Sequence, residues 1–167
     1  MEFIKIKEII FNELKPKLES NKGLAIFARQ KAKFEGWLKV ELVEILSNYF
    51  YDISPENNRI DITFKDKVNK DWAIELKTIN TNMRYENVIG KIRPITLNIK
   101  DAIHDIEKLK LTTYVNKVIL FIAFPAENKN QKWQMHLNKI KNKLKQIEYM
   151  EFYFSNKIPG VIYLGKI

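Results

Sequence analysis

Arg59-Ile60-Asp61-Ile62-Thr63-Phe64 and Trp72-Ala73-Ile74-Glu75-Leu76-Lys77 decide the reading of this chain. In both stretches the large apolar residues fall at even numbers. Side chains alternate faces along a strand, so each stretch is a strand with one core face. The polar connection from Lys65 to Asp71 makes them a hairpin. Pairing symmetric about Val68 sets Ile60 opposite Leu76, Ile62 opposite Ile74 and Phe64 opposite Trp72. The same register puts Asp61 opposite Glu75, with Lys77 beside it and across from Arg59. Directly opposed residues have Cβ atoms about 4.5–5.5 Å apart, where two like charges destabilise the sheet. A divalent cation would offset that repulsion, because Mg²⁺ takes oxygen ligands and commonly one or two carboxylates. A hairpin with one solvated face would carry the same alternation, so register and the elements around it weigh in the choice.

Outward from the hairpin, helical spacing predicts a first helix over Phe3–Leu18 and a second from about Leu24 to Phe50, with a stripe of Phe34, Leu38, Leu42 and Ile45. Ser54 to Asn58 reads as a turn cluster. Asn80 to Leu97 looks irregular, and Asn98 is placed to cap a helix reaching Leu111, with Asp101 in its first turn. Val118–Phe124 reads as a buried strand ended by Pro125. Trp133, Leu137, Ile140, Leu144 and Ile147 then recur at steps of 4, 3, 4 and 3, predicting one amphipathic helix. Short strands are expected around Glu151–Phe154 and Val161–Leu164.

Asp61, a gap and then Glu75-Leu76-Lys77 resemble the PD-(D/E)xK nuclease superfamily, which includes restriction endonucleases and Holliday-junction resolvases. The order helix, Asp strand, Glu-x-Lys strand, helix, strand matches from about 24 to 124, although Ile60 stands where the motif has proline. The resemblance implies an α/β fold, a restriction-endonuclease-like three-layer α/β/α sandwich with a central mixed β-sheet. It also implies a Mg²⁺-dependent endodeoxyribonuclease, with Mn²⁺ able to substitute. Asp61 and Glu75 would hold the metal and Lys77 would assist the attacking water. A carboxylate from the preceding helix would complete the shell: Glu35, followed by Leu38 and Leu42, fits the family's spacing better than Glu41, which is followed by Glu44. A restriction-type enzyme acting as a homodimer is the expectation. A structure-specific repair or recombination nuclease, or an inactive nucleic-acid-binding domain, stand as alternatives.

The composition suits these expectations. A chain of 167 residues, 46% hydrophobic and 12% aromatic, reads as one folded domain, residues 1–167, with 1–20 as an N-terminal helix. The 29 basic and 20 acidic residues leave a charge of +9, which favours a polyanion such as DNA. Only four of the basic residues are arginine, and a gene biased toward A and T would also enrich lysine. Arg84, Lys91 and Arg93, in the irregular segment after the hairpin, are candidates for DNA contact, because guanidinium pairs bidentately with phosphate or guanine. Lys139 and Lys143, in the lysine-rich helix, are further candidates, though a solvated helix face would look the same. Without cysteine there is no disulfide and no thiolate site. The N-terminus alternates charge with apolar residues, unlike a signal peptide, and no apolar run is long enough for a membrane span, so a cytoplasmic protein is expected. His104 and His136 share no ligand spacing, and five glycines form no phosphate loop.

Overall fold

The computed structural model describes residues 2–90 and 94–167. Strands β2 (Ile60–Lys65) and β3 (Asp71–Asn80) pair antiparallel in the expected register from Lys65 opposite Asp71 to Ile62 opposite Ile74, but the ladder stops there. Ile60 is not paired with Leu76 nor Asp61 with Glu75, and Ile60 packs on the other face of the sheet from Ile62 and Phe64. The Asp66 carboxylate shapes the turn between them, accepting the Val68 and Lys70 N–H groups at 3.0 Å and the Trp72 indole N–H at 3.2 Å. Phe64 and Trp72 stack with their centroids 5.9 Å apart.

The expected turn cluster at Ser54–Asn58 is instead the end of a further strand, β1 (Tyr51–Asn57). The chain reverses over Asn58 and Arg59, both left-handed at φ 51° and 65°. Two central residues with positive φ match the twist of a tight hairpin, but Arg59 gives no sequence signal for it.

The predicted helix from Leu24 to Phe50 is two helices, α2 (Lys22–Gln30) and α3 (Glu35–Ser47), following α1 (Phe3–Ser20). Lys31 sits at φ 52°, and its N–H reaches the carbonyls of Phe27 and Ala28. That arrangement normally calls for glycine or asparagine. Leu24, Ala25 and Ala28 of α2 enter the same core as Leu38, Leu42 and Ile45 of α3, so the apolar stripe runs across the break.

Helix α4 (Ile95–Lys110) begins after Pro94, three residues before Asn98. Asn98 is no cap: it is buried within the helix and its side-chain amide donates to the Asn80 carbonyl at 3.4 Å. Asp101 accordingly lies beyond the first turn. Helix α5 (Gln131–Lys141) is capped by Asn130, which accepts the Trp133 N–H at 3.0 Å. It stops well short of Ile147. The Lys145 N–H donates to Lys166 at 2.8 Å and draws the chain into strand pairing, so Ile147 reaches the core from β5 (Gln146–Tyr153).

With β4 (Asn116–Phe124) and β6 (Pro159–Lys166) the sheet has six strands in the order β1-β2-β3-β4-β6-β5. Among the described residues only β3 and β4 are parallel, joined through α4; the remaining neighbours are antiparallel. The chain is thus α/β, with a mixed six-stranded sheet and five helices among the described residues. Ile62, Phe64, Trp72, Ile74 and Leu76 share one core with α1, α2 and α3. Ala73, Ile79, Ile119 and Phe121 share the other with α4 and α5. Ile99, Ala102, Ile106 and Leu109 bring α4 onto that face, each large side chain contributing about 1.5–3 kcal/mol on full burial. Among the described residues, no helix is long and apolar enough to cross a membrane.

Candidate active site

Pairing between β2 and β3 ends at Ile62 and Ile74, and beyond that point β3 presents backbone N–H groups with no strand beside them. Buried N–H groups require acceptors. Leu76 N–H donates to Asp61 Oδ2 at 2.8 Å, and Thr78 N–H donates to Glu35 Oε1 at 2.9 Å. Two carboxylates therefore stand where the carbonyls of a neighbouring strand would be. The helix break explains how Glu35 arrives there: it is the first residue of α3, where a negative charge also suits the helix dipole. Glu41, on the same helix, is turned to α1 and pairs with Lys17 at 2.7 Å. Of the two helical candidates, Glu35 is brought to β3 and Glu41 is not.

Glu75 lies on the α4 side of β3, with only 5% of its side chain exposed. It hydrogen-bonds Asp61, and burial together with that neighbour pushes its pKa up to about 8. Lys108, 3.2 Å from Glu75 Oε1, acts the other way without prevailing. Burial would raise Asp61 too, but Lys39 at 2.7 Å and the Leu76 N–H outweigh it and hold Asp61 below the usual aspartate value. The neighbourhood thus shifts proton affinity toward Glu75 and away from Asp61.

Lys77 reaches Asp105 of α4, with Nζ 2.6 Å from Oδ2. Burial favours its neutral form, yet the Asp105 hydrogen bond and the charges of Asp105, Glu35 and Asp101 raise its pKa above the ordinary lysine value. Lys77 is therefore a fixed cation and no proton acceptor at neutral pH.

The comparisons with known proteins give no relative: no family model matches the chain, and no curated protein or solved structure does. What the site can do is read from its own chemistry.

Among the described residues, no three His, Asp or Glu side chains gather closely enough to hold a metal outright. Asp61 and Glu75 do touch, and their donor chemistry fits a hard divalent cation: two carboxylates in mutual contact, one retaining a proton that a cation would replace. Lys39 and Lys108 take up part of that negative charge. These lysines and Asp105 escaped the sequence reading, and Asp101 entered it only as a first-turn residue of a helix. Asp101, Asp105 and Lys108 recur at steps of 4 and 3, so one face of α4 lies over Glu75 and Lys77. That spacing is visible in the sequence once α4 is placed on the odd-numbered face of β3.

Arg84 is exposed and lines an open groove of about 1110 Å³ beyond the end of β3. Lys91 and Arg93 fall outside the described residues. Lys139 is exposed on α5, and Lys143, in the turn after it, lies 3.5 Å from Glu107 and lines a separate cavity of about 480 Å³. Lys132 borders the Arg84 groove instead, so the lysines of this region form no single track.

Proposed function

We propose that this chain is a metal-dependent endodeoxyribonuclease of restriction-endonuclease-like fold, with Asp61, Glu75 and Lys77 at its centre and Glu35 beside them. The observation that carries this reading is the contact of Asp61 with both the Leu76 N–H and Glu75, at the point where β2 leaves β3. It brings the Asp61 carboxylate of β2 beside that of Glu75 on β3, with the Lys77 ammonium two residues further along β3.

Asp61 and Glu75 would hold Mg²⁺ or Mn²⁺, which supplies Lewis acidity toward a scissile phosphate. Asp61 enters that role already ionised, whereas Glu75 must give up its proton. The Lys77 ammonium, held by Asp105, donates hydrogen bonds to a phosphate oxygen or to the attacking water and steadies the charge that builds during displacement. Glu35 fixes Thr78 and with it the course of β3 past Lys77.

One observation favours a second reading. Lys39 and Lys108 already compensate Asp61 and Glu75, as expected of a nucleic-acid-binding domain that needs no metal. Incubation of supercoiled plasmid and of a branched DNA with the protein, in Mg²⁺ or Mn²⁺, separates the two. Cleavage by the wild type, abolished by Asp61→Ala and strongly reduced by Lys77→Ala, is the expected result. Binding indifferent to the metal and to Asp61→Ala, without cleavage, would establish the second reading in place of the first.

A further inference from the structure

We propose that the groove between the chain segments following β3 and β4 grips the phosphate backbone of the nucleic acid, with Arg84 and Lys132 as its contacts. The inference rests on the nuclease reading and assigns the substrate strand a path away from Lys77.

The parallel strands β3 and β4 end side by side, and crevices at the carboxyl ends of parallel strands are where open α/β sheets commonly take ligands. Thr81 fixes the floor: its N–H donates to the Phe124 carbonyl at 3.0 Å and its hydroxyl to that of Pro125. From there the segments part, leaving Asn82, Arg84 and Tyr85 on one wall and Asn130, Gln131 and Lys132 on the other. Glu127 also borders the groove, where its carboxylate accepts a hydrogen bond from the Tyr85 hydroxyl and leaves Arg84 and Lys132 as the cations of the two walls. Burial and that acidic neighbour push Tyr85 up to about 12, so it stays neutral.

Charge is the second observation. The lysines around the candidate active site are paired with acids: Lys39 with Asp61, Lys77 with Asp105 and Lys108 with Glu75. Arg84 and Lys132 have no acidic partner among the described residues. Arg84 also stands close enough to Lys31 that its charge, after burial, helps to lower the Lys31 pKa. Like charges set together cost free energy, which a bound anion offsets. Asn82 lies five residues beyond Lys77, about 16–17 Å at the rise of a strand. A single free phosphate could not span that distance, whereas a polynucleotide strand with a charge every 3.4 Å or so of its axis could.

The test is fluorescence anisotropy of a labelled DNA duplex in EDTA, so that binding is read without cleavage, across a salt series. Arg84→Ala, Lys132→Ala and the double variant are compared with the wild type and with Lys67→Ala, a lysine in the β2–β3 turn. All of these positions are exposed, and circular dichroism checks that each variant folds. Each groove substitution should weaken binding roughly five- to tenfold and reduce the salt slope by about one. Lys67→Ala should change neither. Wild-type affinity and slope in the double variant would overturn the groove assignment, while plasmid cleavage in Mg²⁺ would keep the nuclease reading intact. A wild type that binds no duplex at low salt, yet binds RNA of the same sequence, would overturn both as stated for DNA.

Discussion

Lys77 Nζ lies 2.6 Å from Asp105 Oδ2, an ion pair that ties the centre of β3 to α4 in a patch where both side chains are less than one-fifth exposed. It orients a lysine that must stay protonated to serve as a cation. Without Asp105, burial would be opposed mainly by the weaker contributions of Glu35 and Asp101.

Asp105→Asn should therefore lower DNA cleavage roughly ten- to hundredfold, a usual cost of removing a group that orients a reacting one. The loss should fall on kcat more than on KM. Because Asp105 raises the Lys77 pKa, the variant should also lose activity at a lower alkaline pH than the wild type. Cleavage rates from pH 7 to pH 10 read both effects, with Asp105→Glu expected to restore part of each. A variant with a lower melting temperature but an unmoved alkaline limb would mean that Asp105 only braces α4.

The carboxylate pair predicts an unusual pH dependence of stability in metal-free protein. Glu75 loses its proton near pH 4.5 in the unfolded chain but holds it to about pH 8 when folded. Between those values the folded state binds the extra proton, so stability falls as pH rises across the window. The effect should be on the order of a few kcal/mol. Urea unfolding in EDTA from pH 5 to pH 8 should display this slope in the wild type and not in Glu75→Gln. Added Mg²⁺ should stabilise the wild type more at pH 8 than at pH 6, since binding must displace the proton. Parallel slopes in both proteins would place the titrating group elsewhere.

Much of the site was legible because strands declare themselves through a period of two. Alternation fixed which residues share a face from Ile62 to Phe64 and from Trp72 to Leu76, and the turn around Val68 fixed their register as far as Ile62 and Ile74; beyond that point β2 leaves β3 and Ile60 changes face. The helices were harder for two local reasons. Lys31 ends α2 in a left-handed conformation without glycine, so the apolar stripes of α2 and α3 merged into one predicted helix. Leu144 and Ile147 hold helical spacing from Leu137 although the chain has already turned into β5. The ion-pair partners Lys39, Asp105 and Lys108 depend on how α3 and α4 dock on the sheet. That docking is a tertiary relationship, and in a lysine-rich chain nothing local singles out these lysines from the rest.

Acid stability should depend on Asp66, which is wholly buried in the turn that sets the register of β2 against β3. Burial alone would raise its pKa, but the hydrogen bonds it accepts, those from the N–H groups of Lys70, Trp72 and Val68 among them, outweigh this and bring it down to about 2. A depressed folded pKa contributes stability that is complete above the unfolded value of 3.8 and is lost as pH falls through about 2. Asp66→Ala strands the buried Trp72 indole N–H as well as two turn amides, at a cost of about 2 kcal/mol near neutral pH. Its unfolding free energy should then decline less steeply than that of the wild type between pH 4 and pH 2. If the hairpin register depends on this turn, the variant should also lose DNA cleavage at temperatures where it remains folded, because Asp61 no longer meets Leu76. Circular dichroism melts at a series of acid pH values, set beside cleavage assays at neutral pH, measure both. Full activity in a destabilised Asp66→Ala protein would show that the ladder from Ile62 to Phe64 holds the register without the turn.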